Sequence, residues 1–376
     1  MRIAFLYIAE AYQCYHGAAV AIELARRPGI EVQNFYNDPE TPHHLNRIRD
    51  AWSGPAIPSY PLDRSLPVRA LQAVKFLGMM KSLVMRENAR AIARFDVIVA
   101  VENTVAQLRA LGAERPTLVY IPHGYGDRAR GFIPRIAAFD LTLLAGQKTA
   151  DRMLRLNLIR PDGYALPGYI KLETADRLAG STILPFDAPQ PIVLYNPHKA
   201  PRLESWSRFI EPMLAQFQAQ DEFNLIVAPH VKLFRRKSAA TRRRWHARST
   251  GNMLIDLGSD ASVDMSYSSA ADIYVGDISS QVYEFLARPR PCVFLNAHGI
   301  KWQQDPSFAH WHFGEVVDDP AELMQAVRRA PALHHRYRAA QEAMAQATIG
   351  DRSPGAAHRA ANAILDFVAA HERHAA

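Results

Sequence analysis

The chain has 376 residues, 48% of them hydrophobic and 22% charged, which is long enough for two globular domains and unlike a disordered protein. Its net charge of +7 favours anionic partners, namely nucleotides, phosphates, acidic lipids or nucleic acid, with a soluble protein rich in surface arginine as an equal alternative. The two cysteines, Cys14 and Cys292, exclude a disulfide scaffold, and the apolar runs are too short for a membrane-spanning helix.

The chain begins with the apolar run RIAFLYIA, which is typical of a buried strand. A secretion signal is not expected, because the segment has one early positive charge and Glu10 interrupts it. We therefore expect a cytoplasmic protein. Further strands are predicted at GIEVQNFYN, FDVIVAVEN, PTLVYIPHG and FDLTLLAG. Helices are predicted after the first strand, RIAFLYIA, and after the last, FDLTLLAG.

The pattern breaks down in LAGSTILPFDAPQ, which we interpret as a linker between domains. A second series of strands follows at PIVLYNP, FNLIVAPH, NMLIDLG, IYVGD, CVFLN and GEVVDD. Helices are predicted near Trp206–Phe217, from Pro320 to Arg328, from Ala339 to Ala347 and from Pro354 to Ala370. Continuous β-rich runs of this length favour parallel sheets covered on both faces, with ligands at the carboxyl ends of the strands.

The segment GDISSQVYEF follows one such strand and contains the first candidate site. Asp277, Ser279 and Ser280 lie where the strand ends and a helix begins, and the amide groups of a helix start can hold a phosphate oxygen. We therefore predict that these three residues bind a donor phosphate. Glu284, one turn into the helix, could reach a ribose hydroxyl. The alternatives are that the serines only cap the helix and that Glu284 is a solvated charge.

The segment YIPHGYGDRARGF contains the second candidate site. His123 follows a strand and is a candidate general base. Gly124 allows a tight turn, and Arg128 belongs to a basic loop suited to phosphate. The sequence does not distinguish this function from a histidine packed in a turn.

Two further histidines follow strands in the second half of the chain. His230, in APHVKLF, could donate a hydrogen bond to a diphosphate as charge develops on a leaving group. His198 and Lys199, in YNPHKAP, repeat this pattern and are predicted to bind the same phosphates.

The first strand-to-helix loop contains Glu10 and His16, a position that often contacts an acceptor or a phosphate. A solvated glutamate and a turn histidine are the alternative. The chain has no G-x-G-x-x-G, no P-loop and no G-x-S-x-G, which argues against dinucleotide binding, a P-loop ATPase and a serine hydrolase. It also has no D-x-D, so we expect no obligatory metal and no cofactor.

Two basic segments contain no acidic residue, and they suggest contact with an anionic membrane surface. Arg64–Arg86 mixes positive charges with many apolar residues, and Lys232–Arg248 contains eight positive charges. The apolar residues of the first segment spread almost all round a helical wheel, so a partly buried helix is an equal alternative. Nucleic acid is not expected, because aromatic residues hardly interleave with the charges.

Taken together, these motifs resemble those of the CDP-glycerol glycerophosphotransferase family, within the GT-B set of glycosyltransferase-like folds. ADIYVGDISSQVYEFLARPRPCVFLN is similar to the family segment of strand, D-x-S-S, helix and strand. PHGYGDRARGF is similar to its H-G motif, and APHVKLF to its P-H motif. LPGYIKLE stands where the family often has G-x-P-R-x-D, so Gly168 matches but the arginine does not.

The resemblance implies two Rossmann-like α/β domains with parallel sheets facing across a cleft. We expect an acceptor domain at 1–180, a nucleotide-donor domain at 190–350, and a C-terminal helix within 351–376 that packs back on the first domain. His123 becomes the catalytic base, and His230, Ser279 and Ser280 become donor-phosphate ligands. Gly168 becomes a nucleotide-binding residue.

The implied activity is transfer of glycerol phosphate or a glycosyl group from a CDP- or UDP-linked donor to a hydroxyl of a cell-envelope polymer or lipid. From the N-terminal segment and the two basic segments, we expect a cytoplasmic protein that can dock peripherally on the inner face of the cell membrane. Two alternatives stay open: a UDP-sugar 2-epimerase-like enzyme on the same fold, and a non-catalytic scaffold derived from a transferase.

Overall fold

The computed structural model describes residues 1–69, 77–124, 131–178 and 183–375. Within these residues the strands form two sheets, and every strand pair in both sheets is parallel. The α/β class with parallel sheets that the sequence predicts is therefore confirmed.

The first sheet is built from the N-terminal half and has the order β3-β2-β1-β4-β5-β6-β7. Its strands are β1 (Arg2–Tyr7), β2 (Glu31–Tyr36), β3 (Ser59–Pro61), β4 (Val97–Ala100), β5 (Thr117–Tyr120), β6 (Leu141–Leu143) and β7 (Tyr164–Ala165). The short edge strands β3 and β7 have no apolar run of their own and were not predicted.

The second sheet has the order β10-β9-β8-β11-β12-β13. Its strands are β8 (Ile192–Asn196), β9 (Asn224–Val227), β10 (Met253–Ile255), β11 (Ile273–Gly276), β12 (Cys292–Leu295) and β13 (Glu315–Val317). All six lie within the predicted apolar runs. Side chains on the two faces of this sheet belong to two separate buried clusters, which is why its strands are apolar throughout.

Helices connect the strands in both halves. The described α-helices are α1 (Ala18–Ala25), α2 (Thr41–Ala51), α3 (Leu77–Ile92), α4 (Gln107–Ala110), α5 (Gln147–Arg155), α6 (Ile170–Leu178), α7 (Trp206–Gln218), α8 (Ala239–His246), α9 (Ser266–Ala270), α10 (Gln281–Phe285), α11 (Leu323–Ile349) and α12 (Ala356–Ala375). Short 3-10 helices occupy several loops, among them Ala11–His16 after β1 and Pro306–Phe313 before β13.

The long helix α11 corrects one expectation. The two separate helices predicted on either side of Pro331 are one continuous helix of 27 residues. Proline removes one backbone hydrogen bond from a helix interior. Buried side chains on both sides, such as Val327 and Ile349, keep the two halves packed and offset that loss.

The chain divides into two compact units. The first contains residues 1–124, 131–177 and those from Ala347 onward, and the second contains 183–346 together with Leu178. Within the first unit, α12 packs on α1, where Arg27 donates to Asn362 at 2.8 Å and His358 lies 3.2 Å from Glu23. The C-terminal helix is therefore part of the N-terminal unit.

In the described part of Arg64–Arg86, helix α3 favours the alternative of a partly buried helix over a membrane-surface segment. Met80, Val84 and Met85 are buried in the core of the first unit, together with Val68. Because these side chains pack against protein, they do not provide an apolar face for lipid. Across the described residues, helices of sufficient length and apolarity to cross a bilayer are absent.

Candidate functional site

In the first unit, three polar residues follow neighbouring strands. Glu10 lies beyond the end of β1, Glu102 beyond β4 and His123 beyond β5, and these strands are adjacent in the sheet. The carboxyl ends of adjacent parallel strands meet at one edge, so the three side chains converge there. The sequence predicts Glu10 and His123 as site residues but not Glu102.

His123 has a defined hydrogen bond and an exposed side chain. Its Nδ1 atom lies 2.7 Å from the carbonyl oxygen of Val101, and a carbonyl only accepts hydrogen bonds. Nδ1 therefore carries the proton in the neutral ring, and Nε2 keeps its lone pair. This is the tautomer that a general base needs. Gly124 follows it, and a side chain added there would meet no described atom within 4 Å. Arg128 lies outside the described residues.

A buried polar cluster lies beside His123 within the same unit. The ring of His16 lies 6.5 Å from that of His123, and both His16 and Glu10 are buried. Lys81, from α3, donates to Glu102 at 2.8 Å, and both side chains are largely shielded from solvent. The structure thus places the two predicted acceptor-side residues beside the predicted base and adds an ion pair to them.

The charges in this cluster depend on one another. Burial raises the pKa of Glu102. The positive charges of His123 and Lys81 together lower it by more, so the net pKa lies below its ordinary value. Burial, assisted by nearby Lys171 and His123, holds the pKa of His16 well below its ordinary range. Glu102 is therefore an anion at neutral pH, and His16 is a neutral ring.

Sequence reasoning missed Glu102 and Lys81 for different reasons. Glu102 follows the apolar run VIVAV just as Glu10 follows RIAFLYIA, so the same rule could have identified it. Lys81 gives no such signal. It reaches Glu102 only because α3 packs against the sheet.

In the second unit, three loops follow the adjacent strands β9, β8 and β11. They contain His230, His198 and the segment Asp277–Ser280, respectively. The rings of His198 and His230 are 5.9 Å apart and almost perpendicular, at 87°. His198 is buried and His230 is partly exposed, whereas the side chain of Lys199 lies at the surface.

Both of these histidines have the opposite tautomer from His123. The amide of Ala200 donates to Nδ1 of His198 at 3.0 Å, and the amide of Lys232 donates to Nδ1 of His230 at 3.2 Å. An Nδ1 atom that accepts from an amide is unprotonated, so the proton of each neutral ring lies on Nε2. The Nε2–H group of each neutral ring can therefore donate a hydrogen bond, and a phosphate oxygen can accept one.

Asp277 does not have the predicted role of a phosphate ligand. Its side chain is inaccessible to solvent, and its two oxygens accept hydrogen bonds from the amides of His198, Ser205 and Ile278 and from the Ser205 hydroxyl. Burial raises its pKa to about 6, although the amides of His198 and Ser205 act in the opposite direction. A buried carboxylate with these partners cannot contact a phosphate. The two anions would also repel each other.

The two serines beside Asp277 differ in exposure. Ser279 is buried and accepts from the amide of Gln281 at 3.4 Å. Ser280 is exposed and precedes α10, but its hydroxyl makes no capping hydrogen bond to that helix. Capping therefore explains Ser279 in part and does not explain Ser280. Glu284 lies in α10 with its side chain partly exposed.

Gly168 has a packing role within the first unit. It has a φ of +92°, and a side-chain Cβ there would lie 2.3 Å from the carbonyl oxygen of Asp351. Arg359 donates to the carbonyl of Pro167 at 2.8 Å and lies 3.2 Å from the carboxylate of Asp351. Close approach of the segment before α12, rather than contact with a nucleotide, accounts for glycine at this position.

Comparison with protein-family models gives one match, to "CDP-Glycerol:Poly(glycerophosphate) glycerophosphotransferase", over residues 173–366. That range is just over half of the chain and contains His198, His230 and the Asp277–Ser280 segment. A search of curated protein sequences found no significant match.

Several solved structures share the fold. The wall teichoic acid polymerase TagF has a TM-score of 0.67 at 11% identity, covering 98% of this chain and 89% of that chain. UDP-GlcNAc 2-epimerase from Neisseria meningitidis, bound to UDP-GlcNAc, has a TM-score of 0.63 at 13% identity, covering 97% of this chain and 100% of that chain. UDP-GlcNAc 2-epimerase from Methanocaldococcus jannaschii has a TM-score of 0.62 at 11% identity, and the match covers 98% of this chain and 100% of that chain. The fold is of the GT-B type.

Proposed function

The chain belongs to the CDP-glycerol:poly(glycerophosphate) glycerophosphotransferase family, and from that membership we propose which groups bind the donor and which activate the acceptor. The donor is CDP-glycerol or a related CDP- or UDP-linked compound. The acceptor is a hydroxyl of a cell-envelope polymer or lipid. The second unit binds the donor, and the first unit activates the acceptor.

The observation that carries this proposal is the difference in histidine tautomers. His123 has a lone pair at Nε2, whereas His198 and His230 have a proton there. A transferase needs both kinds of group: a base for the acceptor hydroxyl and donors for the phosphate oxygens.

In the proposed step with CDP-glycerol, the acceptor oxygen forms a bond to the phosphorus of the glycerol phosphate. The bond from that phosphorus to the bridging oxygen breaks, and CMP leaves with the electron pair. His123 takes the acceptor proton. His230 and His198 donate to oxygens of the diphosphate, with the exposed hydroxyl of Ser280 and surface Lys199 as further candidates.

The cluster around His123 supports its role as the base. The imidazole becomes positively charged when it takes a proton, and the anionic carboxylate of Glu102 stabilises that charge. Lys81 keeps Glu102 ionised and oriented. Glu10 and His16 line the same site and are proposed to contact the acceptor, while Glu284 is proposed to contact the donor ribose.

We propose further that the protein is cytoplasmic and binds the inner face of the cell membrane through the segment Lys232–Arg248. The side chains of Arg235, Arg236 and Lys237 are exposed, as are those of Arg243 and Arg244 on α8. Positive charges near a membrane surface contribute about 1 kcal/mol each towards binding anionic lipid.

The experiment that tests the function measures nucleotide release. The purified chain is incubated with CDP-glycerol, UDP-sugars and CMP-sugars, with and without a lipid extract as the source of acceptor. Release of CMP or a nucleoside diphosphate that depends on the extract supports the transferase. Release without an acceptor supports the epimerase alternative instead. No release with any of these donors supports a non-catalytic scaffold and overturns the proposal.

A further inference from the structure

We propose that Asp277 is a positioning residue that determines the affinity of the second unit for nucleotide by holding His198 in its donor tautomer. It does so without touching the ligand. The inference rests on the proposed function, since it assumes that the second unit binds a nucleotide diphosphate.

The carboxylate of Asp277 connects two loops that are far apart in the sequence. The amide of His198 lies 2.8 Å from Oδ1 and 3.1 Å from Oδ2, and the amide of Ser205 lies 2.7 Å from Oδ2. The Ser205 hydroxyl adds a donor at 2.9 Å, and the amide of Ile278 adds another at 2.7 Å. These contacts fix both ends of the loop between β8 and α7 against the end of β11.

The backbone of Asp277 is fixed from the other side. Its carbonyl oxygen accepts from Nε2 of His310 at 2.9 Å and from Nε1 of Trp311 at 3.0 Å, and both rings are buried. The side chain and the main chain of one residue thus hold together three segments of the second unit. These are the loop after β8, the loop after β11 and the 3-10 helix Pro306–Phe313.

The position of the His198 backbone decides the state of its ring. With its amide held by Asp277, the chain turns so that the amide of Ala200 points at Nδ1, which places the proton on Nε2. The ring also packs edge-on against His230. If the amide of His198 were released, both contacts would lose their geometry, and the ring would no longer present one tautomer.

The test compares Asp277→Asn with the wild-type chain. The amide of asparagine can accept at only one of the two positions and must direct its NH2 group at an N–H donor on the other. We expect the dissociation constant for CDP or UDP, whichever binds more tightly, to increase by about 10-fold or more. Titration calorimetry on the full chain measures it.

A spectroscopic measurement separates positioning from general loss of structure. In spectra of the chain labelled with nitrogen-15 at histidine, His198 should show one protonated nitrogen, Nε2, in the wild type and a mixture of tautomers in Asp277→Asn. The signal is assigned with His198→Ala. The matched control is Asp272→Asn, because Asp272 accepts from the amide of Ile192 at 2.8 Å at the opposite end of β11, and this variant should change neither measurement.

A double mutant tests the route through His198. In the His198→Ala background, adding Asp277→Asn should change nucleotide affinity by less than about 2-fold. An additive loss in the double mutant, an unchanged tautomer or wild-type affinity in Asp277→Asn would each overturn the proposal. If Asp277→Asn does not fold, Ser205→Ala removes one donor to Oδ2 and should weaken nucleotide binding by about 3-fold, and unchanged affinity in that variant would overturn it equally.

Failure of the proposed function would look different. If the wild-type chain binds neither CDP nor UDP, the assignment of the second unit as a donor site is wrong. The tautomer of His198 would still report whether Asp277 positions it.

Discussion

The Nδ1 atom of His123 donates to the carbonyl oxygen of Val101 at 2.7 Å, and this single contact determines which nitrogen of the ring can act as a base. Val101 directly follows β4, whereas His123 lies beyond the end of the neighbouring strand β5. The ring of this candidate base is therefore oriented by the sheet itself. A change of register between these two strands would remove the orientation.

Replacing His123 should abolish turnover without preventing nucleotide binding. We expect His123→Ala to lower kcat by about 100-fold or more, because a positioned general base contributes at least that factor. The dissociation constant for CDP should stay within about 2-fold of the wild type. Steady-state assay and calorimetry measure the two quantities. His358→Ala, which changes a histidine on α12, is the control, and a fully active His123→Ala would show that the base lies elsewhere.

Replacing His230 should weaken nucleotide binding, since its Nε2–H is proposed to donate to the diphosphate. Loss of one hydrogen bond to a charged group corresponds to about a 10- to 100-fold increase in the dissociation constant for CDP in His230→Ala. His230→Gln can place an N–H donor near the same point and should recover part of the affinity. Equal affinity of the two variants would contradict a hydrogen-bonding role.

Replacing Glu102 should slow the chemical step. Glu102→Gln keeps the size of the side chain but removes the charge that stabilises protonated His123, so we expect kcat to fall by about 10-fold with little change in CDP affinity. Glu31→Gln, at the amino end of the first sheet, is the matched control. A decrease in affinity alone, with kcat unchanged, would argue against this role.

Replacing Lys81 should destabilise the folded protein. Lys81→Met leaves the buried carboxylate of Glu102 without its cation, and we expect the free energy of unfolding, measured in denaturant, to fall by about 1–3 kcal/mol.

Asp277 makes the stability of the protein depend on pH. Its pKa rises from 3.8 to about 6 on folding, so the folded chain binds this proton more tightly than the unfolded chain does. The contribution of this proton to stability is complete below about pH 4 and is lost as the pH rises through about 6. The full pKa difference is equivalent to about 3 kcal/mol of unfolding free energy.

Asp277→Asn removes this pH dependence. Unfolding in denaturant at about pH 5 and about pH 7.5 should show a larger loss on raising the pH in the wild type than in the variant. An identical pH dependence in both chains would contradict the shift.

Reversing charge on α8 and the preceding loop should weaken binding to anionic vesicles. Changing Arg235, Arg243 and Arg244 to glutamate alters the charge by six, and we expect sedimentation with phosphatidylglycerol vesicles to fall by about 10-fold or more at low salt. The control is the equal charge change at exposed Arg135, Arg155 and Arg160 in the first unit. Equal losses in both triple variants would indicate a general charge effect and no docking surface.

Much of the candidate site could be predicted from local sequence. His123, His230 and His198 were identified because each follows an apolar run that ends a strand, and the ends of adjacent parallel strands carry ligands. The apolar runs themselves predicted the six strands of the second sheet. These signals are local, because the apolar run of a buried strand and the polar residue after it lie within about ten positions of each other in the sequence.

The tertiary structure alone decided what depends on contacts distant in sequence. Lys81 reaches Glu102 across 21 positions and Asp277 reaches the amide of His198 across 79, and neither distance leaves a periodic pattern in the chain. The tautomers of the histidines also leave no signal in the sequence, because they are set by the groups that face Nδ1. The positive φ of Gly168 and its close approach to Asp351 likewise arise from packing. Residue type and spacing determine which groups can react, while the direction of each proton depends on which backbone atoms the fold places beside them.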